Sequence, residues 1–211
     1  MKIFITGASS GIGLATKNLF EQHGHQVTAP TRDSLDLDDL EQVANVDLSG
    51  YDVLINNAGH AKGSPHTLKD AELEHVISAY HVNLVSPVLL TKQFITQNST
   101  GTVVNVTSSS CDRIGKDSIA YDSSKKALRA FTELCRVEEA NLNFRFVEVT
   151  PGRTKTKMKY NNGNTDEDSI NYTGPYAHSL DPQEVAEAIY AGVTNPYLDT
   201  VRIKHPLDIK K

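Results

Sequence analysis

Short apolar runs alternate with longer amphipathic stretches along almost the whole chain. Lys2 to Thr6 is β-rich and runs directly into glycines. From Ile12 to His23 the apolar residues recur at helical spacing (Ile12, Leu14, Ala15, Leu19, Phe20), and Gly24 ends that helix. Gln26 to Ala29 reads as a second strand stopped by Pro30. Leu35 to Leu37 reads as a stub of strand, and Asp38 to Val46 as a short helix. Val53 to Ile55 is a buried strand that ends in "NNAG". Leu68 to Thr96 is a long helical region. Pro87 inside it predicts a kink or a break, because proline has no N–H for the helix ladder. Thr102 to Val106 is a strong β run followed by "TSSS". Ile119 to Ala140 is helical, and Phe144 to Val149 is a strand stopped by "TPG". Arg153 to Leu180 shows no periodicity. Asp181-Pro182 opens a helix through Ala191, the aspartate as N-cap and the proline in the first turn. Thr200 to Ile203 is a last short strand.

Strands that alternate with helices imply βαβ crossovers, hence an α/β fold with a mostly parallel, doubly wound sheet and helices on both faces. Six to seven strands are expected, in one Rossmann-type domain over residues 1–211. Such sheets bind ligands beyond the carboxyl ends of their strands. "TGASSGIG", "NNAG", "TSSS" and "TPGRTKT" all fall at such ends, so one face gathers the candidate chemistry.

Composition narrows the classes. The chain has 211 residues, 38% hydrophobic and 22% charged, as in a soluble globular protein with a large core. A net charge of -5 gives no electrostatic reason to expect nucleic acid or an anionic membrane as partner. No apolar run approaches the roughly 20 residues of a membrane span, and Met1 to Thr6 is too short for a signal-peptide core. The two cysteines, Cys111 and Cys135, lack CxxC spacing, which fits a reducing, cytoplasmic compartment. The eight histidines form no paired-ligand pattern, and no metal is expected.

"TGASSGIG", Thr6 to Gly13, lies between a strand and a helix. Gly7 allows a tight turn; Gly11 and Gly13 allow close approach of phosphates and of a neighbouring strand. Free N–H groups of Ser9, Ser10, Gly11, Ile12 and Gly13 at the helix start favour a pyrophosphate. A glycine turn without a ligand is the plainer alternative. After the second strand the chain reads Thr31-Arg32-Asp33. Arg32 can pair with the 2′-phosphate of NADP through its planar fork; otherwise it is a surface arginine paired with Asp33 or another nearby carboxylate. NADP is the expected cofactor, with NAD possible.

With these pieces placed, the sequence resembles the short-chain dehydrogenase/reductase family. The matching strings are "TGASSGIG", "NNAG" at 56–59, Asn83 in "HVNLVSP", Ser108 in "VVNVTSSS", "YDSSK" at 121–125 and "PGRTKT" at 151–156. They stand in the family's order, with Ser108 thirteen residues before Tyr121 as in the family. Two departures stand out: the family's third strand and the helix before it are shortened, and the C-terminus lacks a glycine-rich ending. Asp36-Leu37 resembles the family's adenine-contacting pair.

The resemblance implies a hydride transfer between the nicotinamide and a small carbonyl or alcohol. Tyr121 is then the proton donor or acceptor. Residues four apart share a helix face, so Lys125 stands beside it and favours the phenolate. Lys125 also holds the nicotinamide ribose, Ser108 bonds the substrate oxygen, and Asn83 holds a relay water. Asn57, Ala58 and Gly59 contact the adenine ribose; Pro151, Gly152, Thr154 and Thr156 line the nicotinamide. Singly, each of these has a bland alternative as helix surface, turn or cap. The segment about 153–180, with Tyr160, Tyr172 and Tyr176, is expected to cover a polar substrate as a lid. A homodimer or homotetramer through the two long helices is expected. The competing readings are a dinucleotide-sensing binding protein without turnover and a nucleotide-sugar epimerase or dehydratase.

Overall fold

The computed structural model describes residues 1–62, 67–114, 118–140, 142–156, 158 and 178–205. Six strands form one sheet: β1 (Lys2–Ile5), β2 (Gln26–Thr28), β3 (Val53–Asn56), β4 (Thr100–Val106), β5 (Asn143–Pro151) and β6 (Thr200–Ile203). Their order is β2-β1-β3-β4-β5-β6, and every pairing is parallel. The helices are α1 (Gly11–Gln22), α2 (Leu40–Ala44), α3 (Leu73–Tyr80), α4 (Ser86–Gln97), α5 (Ile119–Glu138) and α6 (Pro182–Thr194).

The strands read as continuous apolar runs because both of their faces are covered. Successive side chains point to opposite faces. Ile3, Ile5, Val53, Ile55, Val104, Val106, Val147 and Val149 enter one core, with Phe20 of α1 and Val185 and Ile189 of α6. Phe4, Leu54, Val103 and Phe146 enter the other, with Val43 of α2 and Leu90 and Phe94 of α4. The order reverses between β1 and β3, which leaves a crevice at their carboxyl ends, the usual ligand site of doubly wound sheets.

Two local expectations are corrected. Leu35 to Leu37 forms no strand, so β2 is the edge of the sheet among the described residues. Leu35 and Leu37 instead sink into the second core, 8% and 9% exposed. The crossover from β2 to β3 adds no strand, and side chains of α4 and of its C-cap Asn98 hold it in place of a ladder. Ser86 Oγ donates to the Leu37 carbonyl at 2.5 Å, and the Leu48 N–H donates to Gln97 Oε1 at 2.6 Å. Asn98 accepts from the Gly50 N–H and donates to the Leu48 carbonyl, both at 2.9 Å.

The helical region from Leu68 breaks before Pro87, not at it. A π-helical turn, His81–Val85, separates α3 from α4. Pro87 sits in the first turn of α4, where a missing N–H costs little. It does, however, deny the Asn83 carbonyl its regular i+4 donor. Single π turns recur at functional sites, and this one centres on Asn83.

The polar hooks on the crossover should carry measurable stability. Asn98→Ala is expected to lower unfolding free energy by about 1–3 kcal/mol, because it strands backbone groups of residues 48 and 50. Urea unfolding monitored by circular dichroism checks this.

Candidate active site

The glycine loop is built as a cradle. Gly7 and Gly11 have φ of 69° and 55°, in the region that favours glycine. A Cβ on Gly7 would meet Ala58 Cα at 2.7 Å, and one on Gly13 would meet the Gly7 carbonyl oxygen at 2.2 Å. A Cβ on Gly11 would reach Thr156 Cγ2 at 3.0 Å, so the "PGRTKT" segment faces the loop across the cleft. Ser9 and Ser10 are exposed at the mouth. Ser10 precedes α1 without making a side-chain cap, and the first turn carries no acidic residue. Neither a capping side chain nor a first-turn carboxylate covers the backbone N–H groups at this end.

The "NNAG" segment divides its labour. Asn56 is buried and ties strands together, donating to Asn105 Oδ1 at 2.8 Å and Thr91 Oγ1 at 3.3 Å. Asn57 spends its amide on the carbonyls of Thr6 and Gly7, at 3.0 and 3.1 Å. Thr6 Oγ1 accepts from the N–H groups of Asn57 and Ala58. What Asn57 and Ala58 can offer a cofactor is therefore mainly close backbone.

Gly59 leads to the centre of the site. A Cβ there would lie 3.0 Å from Asn83 Oδ1 and 3.3 Å from Lys125 Nζ. Asn83 is fully buried. Its Oδ1 accepts from the His60 N–H at 2.9 Å; its Nδ2 donates to the His60 carbonyl at 3.0 Å and Ser124 Oγ at 3.1 Å. The side chain is consumed in locking the 59–60 backbone to α5.

Lys125 stands one helical turn after Tyr121 on α5 and is 3% exposed. Its Nζ donates to the Val106 carbonyl at the end of β4, at 2.9 Å. Burial pushes its pKa down from 10.5 to about 8. Tyr121 is half-buried at the start of the same helix. Ser108 follows β4 and caps a short 3₁₀ turn, Ser109–Asp112; its Oγ accepts from the Ser110 N–H at 3.1 Å. The hydroxyl hydrogen is what Ser108 has left to give.

At the adenosine end, Arg32 is 67% exposed and touches Asp36 Oδ2 at 3.2 Å. Asp36 Oδ1 also accepts from the Asp38 N–H at 3.0 Å, and Leu37 is buried. The partner of Arg32 is thus Asp36 rather than Asp33. Pro151 and Gly152 close β5 against β6, Gly152 donating to the Ile203 carbonyl at 2.7 Å. Thr154 is half-buried and donates to the Gly152 carbonyl at 3.0 Å. Of the expected lid, Lys157, Tyr160, Tyr172 and Tyr176 lie outside the described residues; its two ends meet, Leu180 pairing with residues 153–155.

Several participants are not singled out in the motifs. Ser124 lies inside "YDSSK", and its neighbour Ser123 turns instead to Tyr80. His60 follows "NNAG" directly; its Nδ1 accepts from the Lys62 N–H and its Nε2 bonds Ser78 Oγ at 3.0 Å. Burial, and then the charge of Lys62, lowers its pKa. Cys111 is a free thiol whose pKa burial raises, which makes it a poor nucleophile.

Known proteins share this fold. The short chain dehydrogenase model matches residues 31–167, more than half of the chain. The protein belongs to the short-chain dehydrogenase family. Benzil reductase, (S)-benzoin forming, of Bacillus subtilis strain 168 is 32% identical over 183 residues, 74% of this chain and 75% of that one. An uncharacterized oxidoreductase of Staphylococcus aureus strain N315 is 26% identical over 221 residues, covering 91% of this chain and 90% of its own. Among solved structures, a closed serine dehydrogenase complexed with NADP+ superposes with a TM-score of 0.86 at 21% identity, over 100% of this chain and 96% of the other. A 4-hydroxyisoleucine dehydrogenase complexed with NADH gives 0.81 at 23%, over 96% of each. Among the described residues, no helix is long and apolar enough to cross a membrane.

The buried ammonium makes a testable prediction. The folded pKa of Lys125 lies below its ordinary value, so between pH 8 and 10.5 the unfolded chain binds the extra proton. Stability should therefore rise with pH across that window, by about 3 kcal/mol at most. Lys125→Met should remove this slope and stabilise the cofactor-free protein at pH 7 by about 1–3 kcal/mol. Urea unfolding at several pH values measures both.

Proposed function

We propose that the protein is an NADP-dependent reductase of small carbonyl compounds, or the corresponding alcohol dehydrogenase, with Tyr121 as proton donor or acceptor. The observation that carries this reading is a dry lysine, Lys125, set one turn from Tyr121 and fixed beside Gly59 and Asn83. A cation is not left in such a place for packing; its desolvation costs stability and needs a use.

The residues present fit a dinucleotide. The glycine cradle has no room for side chains at positions 7 and 13, and the uncapped start of α1 suits a diphosphate. When bound, the nicotinamide supplies or takes the hydride. Lys125 holds the ribose and, as a cation, favours the phenolate of Tyr121. Ser108 directs its hydroxyl hydrogen at the substrate oxygen. Tyr121 gives that oxygen a proton in reduction and removes it in oxidation. Pro87 leaves the Asn83 carbonyl without its regular helical donor, which suits a water that resupplies Lys125. Arg32 is tethered to Asp36 by an exposed pair of small energy. It can therefore turn to a 2′-phosphate, and this supports NADP over NAD.

The 32% identity to a benzil reductase makes benzil the first compound of a carbonyl panel. We expect carbonyl-dependent NADPH oxidation, read at 340 nm. Tyr121→Phe should lower it by about 10²- to 10⁴-fold with NADPH affinity within about twofold of wild type. Full turnover by Tyr121→Phe overturns the mechanism. NADPH binding without turnover on any compound favours a binding protein.

A homodimer through α3 and α5 also belongs to this reading. Both helices carry exposed large apolar residues: Leu73 and Ile77 on α3, Leu134 and Val137 on α5, from 44% to 75% exposed. Light scattering at micromolar concentration should give a dimeric or tetrameric mass. Leu134→Glu with Val137→Lys should shift it to the monomer, and a monomeric wild type refutes the proposal.

A further inference from the structure

We propose that Arg129 is a positioning residue for the reaction: with Glu148 and Asp112 it fixes the turn that carries Ser108 against the helix that carries Tyr121 and Lys125. The inference rests on the reading of Ser108 as the group that meets the substrate oxygen.

Tyr121, Lys125 and Arg129 are spaced by four on α5, so they share one helix face. The Arg129 side chain is 13% exposed, and each of its three nitrogens donates a hydrogen bond. Its Nε donates to Glu148 Oε1 at 2.6 Å, Nη1 to Asp112 Oδ1 at 2.7 Å and Nη2 to Thr150 Oγ1 at 3.3 Å. Glu148 lies inside β5, 1% exposed, between apolar neighbours of the same strand. The same Oε1 accepts from Thr107 Oγ1 at 2.7 Å and Thr150 Oγ1 at 2.8 Å.

Ser108 lies between two points of this network. Thr107 precedes it and is bonded to Glu148. Asp112 ends the 3₁₀ turn that Ser108 caps and is bonded to Arg129. The network therefore grips the turn at both ends, one helical turn from Lys125. Asp112 has further cations near it, Arg202 at 3.6 Å and Lys204 at 3.9 Å. It does not need Arg129 to balance its charge.

Stability alone does not call for such a network. Replacing a buried ion pair by well-packed apolar residues is often neutral or stabilising, whereas removing one partner is damaging. A strand residue at 148 would serve the core as well with a leucine or valine. What an apolar residue cannot do is hold Thr107 and, through Arg129, Asp112 at fixed points.

That difference supplies the test. Arg129→Met alone leaves the Glu148 carboxylate buried and unpaired, and is expected to lower the melting temperature. The double variant Arg129→Met/Glu148→Leu restores an apolar contact and should recover it. If the network positions Ser108, the double variant still shows a loosened turn. Hydrogen exchange at the Ser110 and Cys111 amides, both bonded to Ser108, should quicken at least fivefold, as should modification of Cys111 by iodoacetamide. NADPH affinity should stay within twofold. With the carbonyl compound turned over best in the panel above, kcat should fall at least tenfold. Wild-type exchange, thiol protection and kcat in the double variant overturn the proposal. If no compound of the panel is turned over, exchange and thiol protection decide by the same criteria. They are read without substrate, so a failure of the catalytic reading is seen separately from a failure of this one.

Discussion

The arrangement of the site depends on one buried ammonium held by one backbone carbonyl. Lys125 donates to the Val106 carbonyl at the carboxyl end of β4. That bond ties α5 to the end of β4, and Tyr121 rides on the same helix one turn earlier. Burial makes the charge costly there and pulls the Lys125 pKa down. Asn83 is locked to the backbone of His60, and Gly59 leaves room for the Nζ. A protein built for stability alone would place a methionine or leucine at this position.

The same logic explains why the chain tolerates an irregular helix. The π turn of His81–Val85 turns Asn83 inward, where both ends of its amide are satisfied. Pro87, one residue into α4, makes a regular ladder at the Asn83 carbonyl impossible. The reduced crossover between β2 and β3 makes a related compromise. It gives up a strand, yet buries Leu35 and Leu37 and lets Ser86, Gln97 and Asn98 bond its backbone. Helix side chains here do work that a neighbouring strand would do in a longer chain.

Much of this was legible from the sequence, for a physical reason. In a doubly wound sheet the chemistry sits where strands end, so short strings such as "TGASSGIG" and "NNAG" carry both fold and place. The βαβ alternation and all six strands follow from the apolar runs and the turn residues that stop them. The exceptions involve contacts between distant residues. Leu35–Leu37 has the pattern of a strand, but its leucines are buried in the second core without joining the sheet. Pro87 signalled a break, yet a π turn placed it several residues earlier. Arg129 and Glu148 are 19 residues apart and look like ordinary polar positions on a helix and a strand; only the pairing of β4, β5 and α5 brings them together. The task of the Asn57 amide, holding the Thr6–Gly7 turn, likewise shows only in the fold.

The account rests on the cleft being a dinucleotide site, and calorimetric titration of the wild-type protein with NADPH and NADH side by side tests that most directly. It predicts saturable binding of both at one site per chain, with NADPH the tighter because Arg32 can leave Asp36 for the 2′-phosphate. Binding of neither would contradict it, and would mean that the shortened crossover after Arg32 has closed the adenosine end of the crevice.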